Sequence, residues 1–477
     1  MSSIWSQTAS FAPRNPLNTS LKADTVIIGA GMCGVLAGHF LSRAGVNTIL
    51  LDAGRTGSGQ TQNTTAKITC QHGLYYDSLI QKTGPEKARK YANIMQAAIQ
   101  EYARIVQDMH IDCDFIRLPS YLYTRENTDV LTKEAAAASF LEIPCKLTEE
   151  TTLPFHVTGA LQFSGQAQFN PLPFLYTLAD NLQIYENTKV WKVTENQVIT
   201  DSHVITCNHV IYACHYPFPV VPGYYFLRLY QERSYVLALQ NAPVLDGMYY
   251  SVDSGNLSFR NFGSLLLLGG EGHRTGKKLP VSPYHKLEQT RQQLFPKSNV
   301  TARWSAQDCI PVDDLPYIGR FSNRYKNHFV ATGFRKWGMT ASMAAAMILK
   351  DMICDGSSVY EEVFSPKRKL SSYATGKFAS HVGKTGIALS KEFFTFPLSG
   401  IESIKAGESG IIHYKGKKVG VYKTPDGEAF FVSTKCPHMG CQLTFNPAEL
   451  SWDCPCHGSR FTYRGELIDG PAQSPLH

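Results

Sequence analysis

Asp24-Thr-Val-Ile-Ile-Gly29-Ala-Gly31-Met-Cys-Gly34 is an apolar run that breaks into glycines spaced G-x-G-x-x-G. A helical pattern follows through Val35, Leu36, Phe40 and Leu41, then Gly45 and a second apolar run, Thr48-Ile-Leu-Leu-Asp52. The closing acid stands 18 residues beyond Gly34. A glycine triplet alone is common in loops, but strand, helix, second strand and terminal acid in this order form the dinucleotide-binding fingerprint. Gly29 permits the tight turn, Gly31 lets the backbone approach a pyrophosphate, and Gly34 lets helix and strand pack closely. The helix N-terminus stabilises the phosphate charge, and Asp52 can accept from ribose hydroxyls. The stretch predicts a Rossmann-like α/β domain.

Outward from it, the run Arg55-Thr-Gly57-Ser-Gly59-Gln-Thr-Gln-Asn63-Thr64-Thr65-Ala66-Lys67 supplies small residues for a loop around a larger cofactor. Together with the position near the N-terminus, it favours FAD over NAD. Residues 85–109 carry apolar side chains at helical spacing, from Tyr91 to Met109, as a packing face. The segments 184–193 and 198–205 alternate like a hairpin, and 209–217 reads as a further strand. Between Arg233 and Gly272 the pattern turns to short antiparallel strands, the expected substrate sheet. A second glycine-rich loop, Gly269–Gly276, runs into Pro280 and Pro283. Prolines there oppose the helix that a phosphate cradle needs, so a nicotinamide site is rejected. Gly333-Phe-Arg335-Lys336-Trp337-Gly338-Met339-Thr340 then opens a small-residue helix, whose N-terminal amides at 338–340 suit negative charge on a reduced flavin.

The far end carries different chemistry. Cys436-Pro-His438-Met-Gly-Cys441 and Cys454-Pro-Cys456-His457-Gly-Ser459 read as C-x-H and C-x-x-H, with 15 residues between His438 and Cys454. Two thiolates and two imidazoles on paired loops suit a [2Fe–2S] centre with sulfur on one iron and nitrogen on the other. A structural Cys2His2 zinc site uses the same ligand types, although zinc sites usually group like ligands and these alternate.

These residues resemble two known families. The C-terminal loops are similar to Rieske proteins of respiratory complexes. That resemblance implies that Cys436, His438, Cys454 and His457 bind iron, that Cys441 and Cys456 form a disulfide, and that Ser459 donates to a cluster sulfide. Phe461 stands where high-potential members have tyrosine, which implies a lower potential. Gly470-Pro471-Ala472 fits the proline loop over such clusters. The rest of the chain resembles D-amino-acid-oxidase-like (DAO) flavoproteins, specifically bacterial members fused to a C-terminal Rieske domain. By that resemblance Thr64–Gly73 borders the flavin, with Thr64, Thr65, Ala66 and Lys67 as cofactor contacts. Val190 meets the adenine, and Gly333, Lys336, Trp337, Gly338, Met339 and Thr340 flank the isoalloxazine. The implied fold is an FAD-binding Rossmann-like domain, an antiparallel substrate domain and an all-β Rieske domain.

Size and composition agree. The 477 residues are 43% hydrophobic, enough for several cores. The expected division is an N-terminal extension (1–22), FAD-binding segments (23–84, 185–225, 301–365), a substrate and helical region (85–184), an antiparallel sheet (226–300), a linker (366–398) and the Rieske domain (399–477). A net charge of +7 is modest for this length and comes with no nucleic-acid motif. No signal segment and no long apolar run is present, which predicts a cytoplasmic protein without an integral membrane segment. Eight of the 12 cysteines lack metal-like spacing and read as buried free thiols.

Flavin takes electrons in pairs and a Rieske cluster passes them singly. The expected function is therefore oxidation of a small amine or amino acid by hydride transfer to FAD, with electrons drained to a one-electron acceptor protein or quinone-like carrier. His72 is a candidate catalytic group, and Arg233 and Arg260 are candidates to clamp a substrate carboxylate. Two alternatives stay open: a reductase fed by NAD(P)H or a carrier, and a non-catalytic redox carrier or sensor. The oligomeric state is open.

Overall fold

The computed structural model describes residues 3–369, 372–394 and 397–476. Residues 1 and 2 of the expected extension, 370, 371, 395 and 396 of the expected linker, and 477 of the last domain lie outside the described residues.

The fingerprint folds as its pattern predicts. The strand Leu21–Ile28 pairs in parallel with Thr48–Leu51 on one side and Val204–Tyr212 on the other. Gln183–Tyr185 and His328–Thr332 extend the parallel set outward. The hairpin Val190–Val193 and Gln197–Thr200 joins antiparallel, giving an eight-stranded sheet with Tyr317–Arg320. Parallel strands covered on both faces read as continuous apolar runs, and Thr48–Leu51 is buried throughout. The helices Met32–Arg43 and Gly338–Cys354 pack together over this sheet, with Pro85–Asp108 against the latter. Each fully buried Leu or Ile there contributes about 1.5–3 kcal/mol.

A second eight-stranded, mainly antiparallel sheet runs in the order Asn299–Pro311, Leu229–Gln240, Leu265–Arg274, Ser258–Phe262, Met248–Ser251, Ser120–Thr124, Gly159–Phe163 and Cys145–Thr148. The loop Gly269–Gly276 is mostly a continuation of one of these strands. The C-terminal domain stacks a three-stranded sheet (409–433) and a four-stranded sheet (444–469). Among the described residues, no helix is long and apolar enough to cross a membrane.

Two regions differ from expectation. The extension 1–22 is not merely polar. Its short helix Trp5–Thr8 buries Trp5, whose Nε1 donates to the Thr64 carbonyl at 2.7 Å, and Trp5 also stacks under the Arg260 guanidinium. The linker 366–398 contains a 23-residue helix, Ser372–Phe394. His381 on that helix is buried, with Nε2 at 3.2 Å from the Phe226 carbonyl. Glycine and serine content concealed a helix whose docked face supplies the stability that propensity does not.

Candidate functional site

A cavity of about 560 Å³ opens at the carboxyl ends of the parallel strands, where ligands bind in such sheets. Its floor explains the glycines. Gly29 has φ 109°, and a Cβ there would lie 2.6 Å from the Ala213 carbonyl oxygen. A Cβ on Gly34 would lie 1.8 Å from the Gly29 oxygen. Asp52 accepts from the Ala30 N–H at 2.7 Å and the Gly54 N–H at 2.8 Å, and burial raises its pKa. Of the expected cofactor contacts, Gly29, Gly31, Asp52, Thr64, Val190, Lys336, Gly338 and Met339 line this cavity. Length, apolar walls and a glycine cradle fit a dinucleotide.

Others act one step away. Gly333, at φ 74°, makes the turn; a Cβ there would lie 2.6 Å from Pro311. Thr340 Oγ1 accepts from the Thr69 N–H at 3.0 Å and donates to its carbonyl at 2.8 Å, tying the helix start to the loop. Lys67 turns its Nζ to the Tyr249 carbonyl at 3.4 Å; burial, then the Arg260 charge, lowers its pKa to about 7. Thr65 and Ala66 present their carbonyls to Arg260.

The three candidate catalytic side chains are each engaged by protein partners. Arg260 is 1% exposed and donates to the carbonyls of Thr65, Ala66, Phe169 and Asn261. Its Nε and Nη1 brace the cofactor loop from within the protein. Arg233, also 1% exposed, bonds Gln307 and Ser305 and pairs with Glu449 of the C-terminal domain at 3.2 Å. His72 has both ring nitrogens engaged: Nδ1 with Tyr91 Oη at 2.7 Å and Nε2 with the Thr69 carbonyl at 2.9 Å. Of the two neutral tautomers, only Nε2–H, with Nδ1 accepting from Tyr91, satisfies both. Burial, then the Arg335 charge, lowers its pKa to about 3. Its ring stacks on Trp337 at 5.1 Å, so it supports that wall.

A second cavity of about 320 Å³ adjoins the first, and Arg335 and Lys336 line both. His72, Tyr230, Glu232, Tyr250, Asp314 and Trp337 also contribute to it. Arg335 adopts φ 55°, a conformation that costs a non-glycine residue free energy and clusters at functional sites. Its Nη1 is buried without a protein partner. Burial opposes its charge, but Tyr75 and Asp314 outweigh that. From the sequence pattern Arg335 carries no assigned role, and Glu232 is not among the expected site residues. Alternation along Leu229–Gln240 held the signal: Tyr230 and Glu232 face this cavity, whereas Gln231 and Arg233 face the C-terminal domain.

The C-terminal loops form a matched pair. The Gly440 N–H donates to the Cys436 carbonyl at 2.8 Å, and the Gly458 N–H to the Cys454 carbonyl at 3.0 Å. Both glycines have positive φ, at 77° and 81°, which closes each loop around its cysteine. Cys441 and Cys456 are joined as a disulfide across the loops. Their sulfurs lie within 4.8 Å of that of Cys454, but being disulfide-bonded they are not free to ligate. His438 and His457 bring their Nδ1 atoms to 3.2 Å, close enough to share one metal at bonds of about 2.1 Å. Cys436 and Cys454 are buried and hydrogen-bond to each other, which draws the Cys436 pKa down to about 7. Ser459 is fully buried beside Cys436 and accepts from the Ala472 N–H at 3.0 Å. Two free thiols and two facing nitrogens fit a mixed-ligand diiron cluster.

Comparison with known proteins agrees with both halves. The profile described as FAD dependent oxidoreductase (DAO) matches residues 24–352, and that of the Rieske [2Fe-2S] domain matches 395–477. A Bacillus subtilis protein described as "Putative Rieske 2Fe-2S iron-sulfur protein YhfW" is 34% identical over 96% of this chain and 94% of its own length. Solved structures of an L-proline dehydrogenase from P. horikoshii and a glycine oxidase from Geobacillus kaustophilus each superpose with a TM-score of 0.61. They are 16% and 17% identical, cover 73% and 74% of this chain, and are themselves covered over 98% and 100% of their lengths. At that identity they share the fold.

Proposed function

This chain belongs to the FAD dependent oxidoreductase family and carries a C-terminal Rieske [2Fe-2S] domain, and on that premise we propose that it oxidises a small amino acid or carboxylate-bearing amine and delivers the electrons singly to an acceptor. The bound FAD supplies two-electron hydride chemistry, and the cluster supplies one-electron transfer. The observation that carries the reading is Arg335, which lines both this cavity and the cofactor's and whose Nη1 is buried without a protein partner. A guanidinium there suits a carboxylate, and the Glu232 carboxylate on the same cavity suits an ammonium group. Tyr230, Tyr250 and Trp337 supply apolar walls that exclude water from the bound substrate. His72, held neutral, keeps Trp337 in place and moves no proton. Cys436, His438, Cys454 and His457 are the cluster ligands in this reading, and the acceptor is a one-electron carrier protein or a quinone-like molecule.

The test is anaerobic mixing of the holoenzyme with a panel of amino acids and amines while flavin absorbance is followed. Bleaching by carboxylate-bearing amines, weaker for the decarboxylated analogues, is expected. Bleaching by NADPH alone, with none by the panel, would favour the reductase and end this proposal.

A further inference from the structure

One wall of the cofactor cavity does not come from the FAD domain. It comes from Leu467–Gln473 of the Rieske domain, which lines the cavity beside Gln60, Gln307 and Lys189. We propose that the Rieske domain is a fixed wall of the FAD cavity in its own chain, with Gln231 as the positioning residue that holds it there. The FAD cavity would then be closed by the domain that would carry the electrons away, within the same polypeptide.

The contact has the character of a core. Gln231 and Gln307, on neighbouring strands, are 1% and 2% exposed. Gln231 Nε2 donates to the His457 carbonyl at 2.7 Å and the Gly470 carbonyl at 3.1 Å. Gln307 Nε2 donates to the Gly458 carbonyl at 2.8 Å and to Gln231 Oε1 at 2.7 Å. Buried amides with three of their four donated bonds on the Rieske domain's backbone specify one docking geometry. Two glycines permit the approach. A Cβ on Gly458 would lie 2.6 Å from Gln231 Cβ, and one on Gly276 would lie 2.5 Å from the Pro455 nitrogen. Arg274 adds bonds to the Pro455 and Cys456 carbonyls, each 3.2 Å. Along the cavity rim, Gln60 Nε2 donates to Asp469 at 3.0 Å and Lys189 Nζ to the Gln473 carbonyl. The bonds therefore extend from the cluster loop to the strand side where Val190 lines the cavity. A tethered domain that swings away would not bury two glutamines against backbone carbonyls.

Neither Gln231 nor Arg274 lines the cavity, so their variants report on the wall and not on direct cofactor contacts. In Gln231→Met, release of FAD from the holoenzyme into an excess of an FAD-binding apoprotein is expected to be roughly tenfold faster, the loss of about one net buried hydrogen bond. Amide exchange across 467–473 should rise, with the cluster's EPR signal retained. Arg274→Met should act in the same direction, and it carries the test alone if the glutamine variant does not fold. FAD release at the wild-type rate, whether or not exchange rises, overturns the proposal. So does loss of the cluster signal in Gln231→Met, which would make the glutamine part of the cluster's own support. No substrate enters the assay, so a wrong assignment of the substrate leaves its result intact.

Discussion

The two cofactor sites are built on opposite plans. The cluster site is local: its four expected ligands fall between Cys436 and His457, on two loops closed by their own glycines and one disulfide. The FAD cavity is assembled from residues as far apart as Gly29, Val190, Lys336 and Ala472. A local site is fixed by short-range covalent and backbone geometry. A dispersed site depends on the packing of whole elements, so its supports lie far in sequence from what they support.

The largest effect should come where the dispersed site is most constrained. Gly34→Ala forces a Cβ to within 1.8 Å of the Gly29 oxygen, which only displacement of the helix can relieve. Purified Gly34→Ala is expected to carry essentially no FAD while keeping its iron and its EPR signal, read by absorbance and elemental analysis. Loss of both together would break the comparison, showing that the local site also needs the cavity filled.

Arg260→Ala comes next. Arg260 replaces its lost hydration with four carbonyl oxygens around the loop that precedes Lys67. Burial pulls its pKa down to about 9, so the charge persists at neutral pH. Removing it takes a donor from each of those carbonyls, although Asn261 keeps Gln168 Nε2, at a cost on the order of 3 kcal/mol. The expected outcome is a lower Tm and reduced FAD occupancy, with the KM of the remaining holoenzyme little changed. A raised KM at full occupancy would return Arg260 to the substrate.

This contrast sets how much of the molecule was legible. The strand–glycine–helix unit, the amphipathic helix from Pro85 and both cluster loops could be read because each is a short-range pattern with one physical meaning. Arg233 and Arg260 were legible only as candidates: arginine on a substrate sheet suggests a carboxylate, and sequence does not reveal which face a strand presents to a neighbouring domain. Gln231 and Gln307 gave no signal at all. An amide that satisfies a distant backbone carbonyl has no local signature, and neither has the Leu467–Gln473 wall. Trp5 was hidden for the same reason, as its partners Thr64 and Arg260 are distant in sequence.

A smaller effect separates support from chemistry at the dispersed site. With its pKa near 3, His72 stays neutral through the range in which histidines usually titrate. The pH profile of kcat/KM between about 5.5 and 8 should keep its shape in His72→Gln, with a uniform loss from a loosened Trp337. A limb that vanishes with the histidine would make it an acid–base group. Stability carries the matching sign. Below about 6.5 the unfolded histidine binds a proton that the folded one refuses, so His72 lowers stability as pH falls from there towards 3.

The smallest predicted effect belongs to the local site and tests how far its neighbourhood alone sets its potential. Phe461 is fully buried in the same hydrophobic core as Cys436, Cys441, Cys454 and Cys456, and its ring has no proton to donate. Phe461→Tyr adds one hydroxyl to the core that holds these cysteines, and a hydrogen bond from it to a ligand sulfur would stabilise the reduced, more negative state. A net bond of about 1 kcal/mol corresponds to a rise of ~40 mV for a one-electron couple. Midpoint titration followed by EPR should show that rise, with FAD release at the wild-type rate. An unchanged midpoint with an intact signal would mean that the hydroxyl finds another acceptor. The burial of the cluster loop beneath Gln231 and Arg274 would then matter more to the potential than the side chains within the loops.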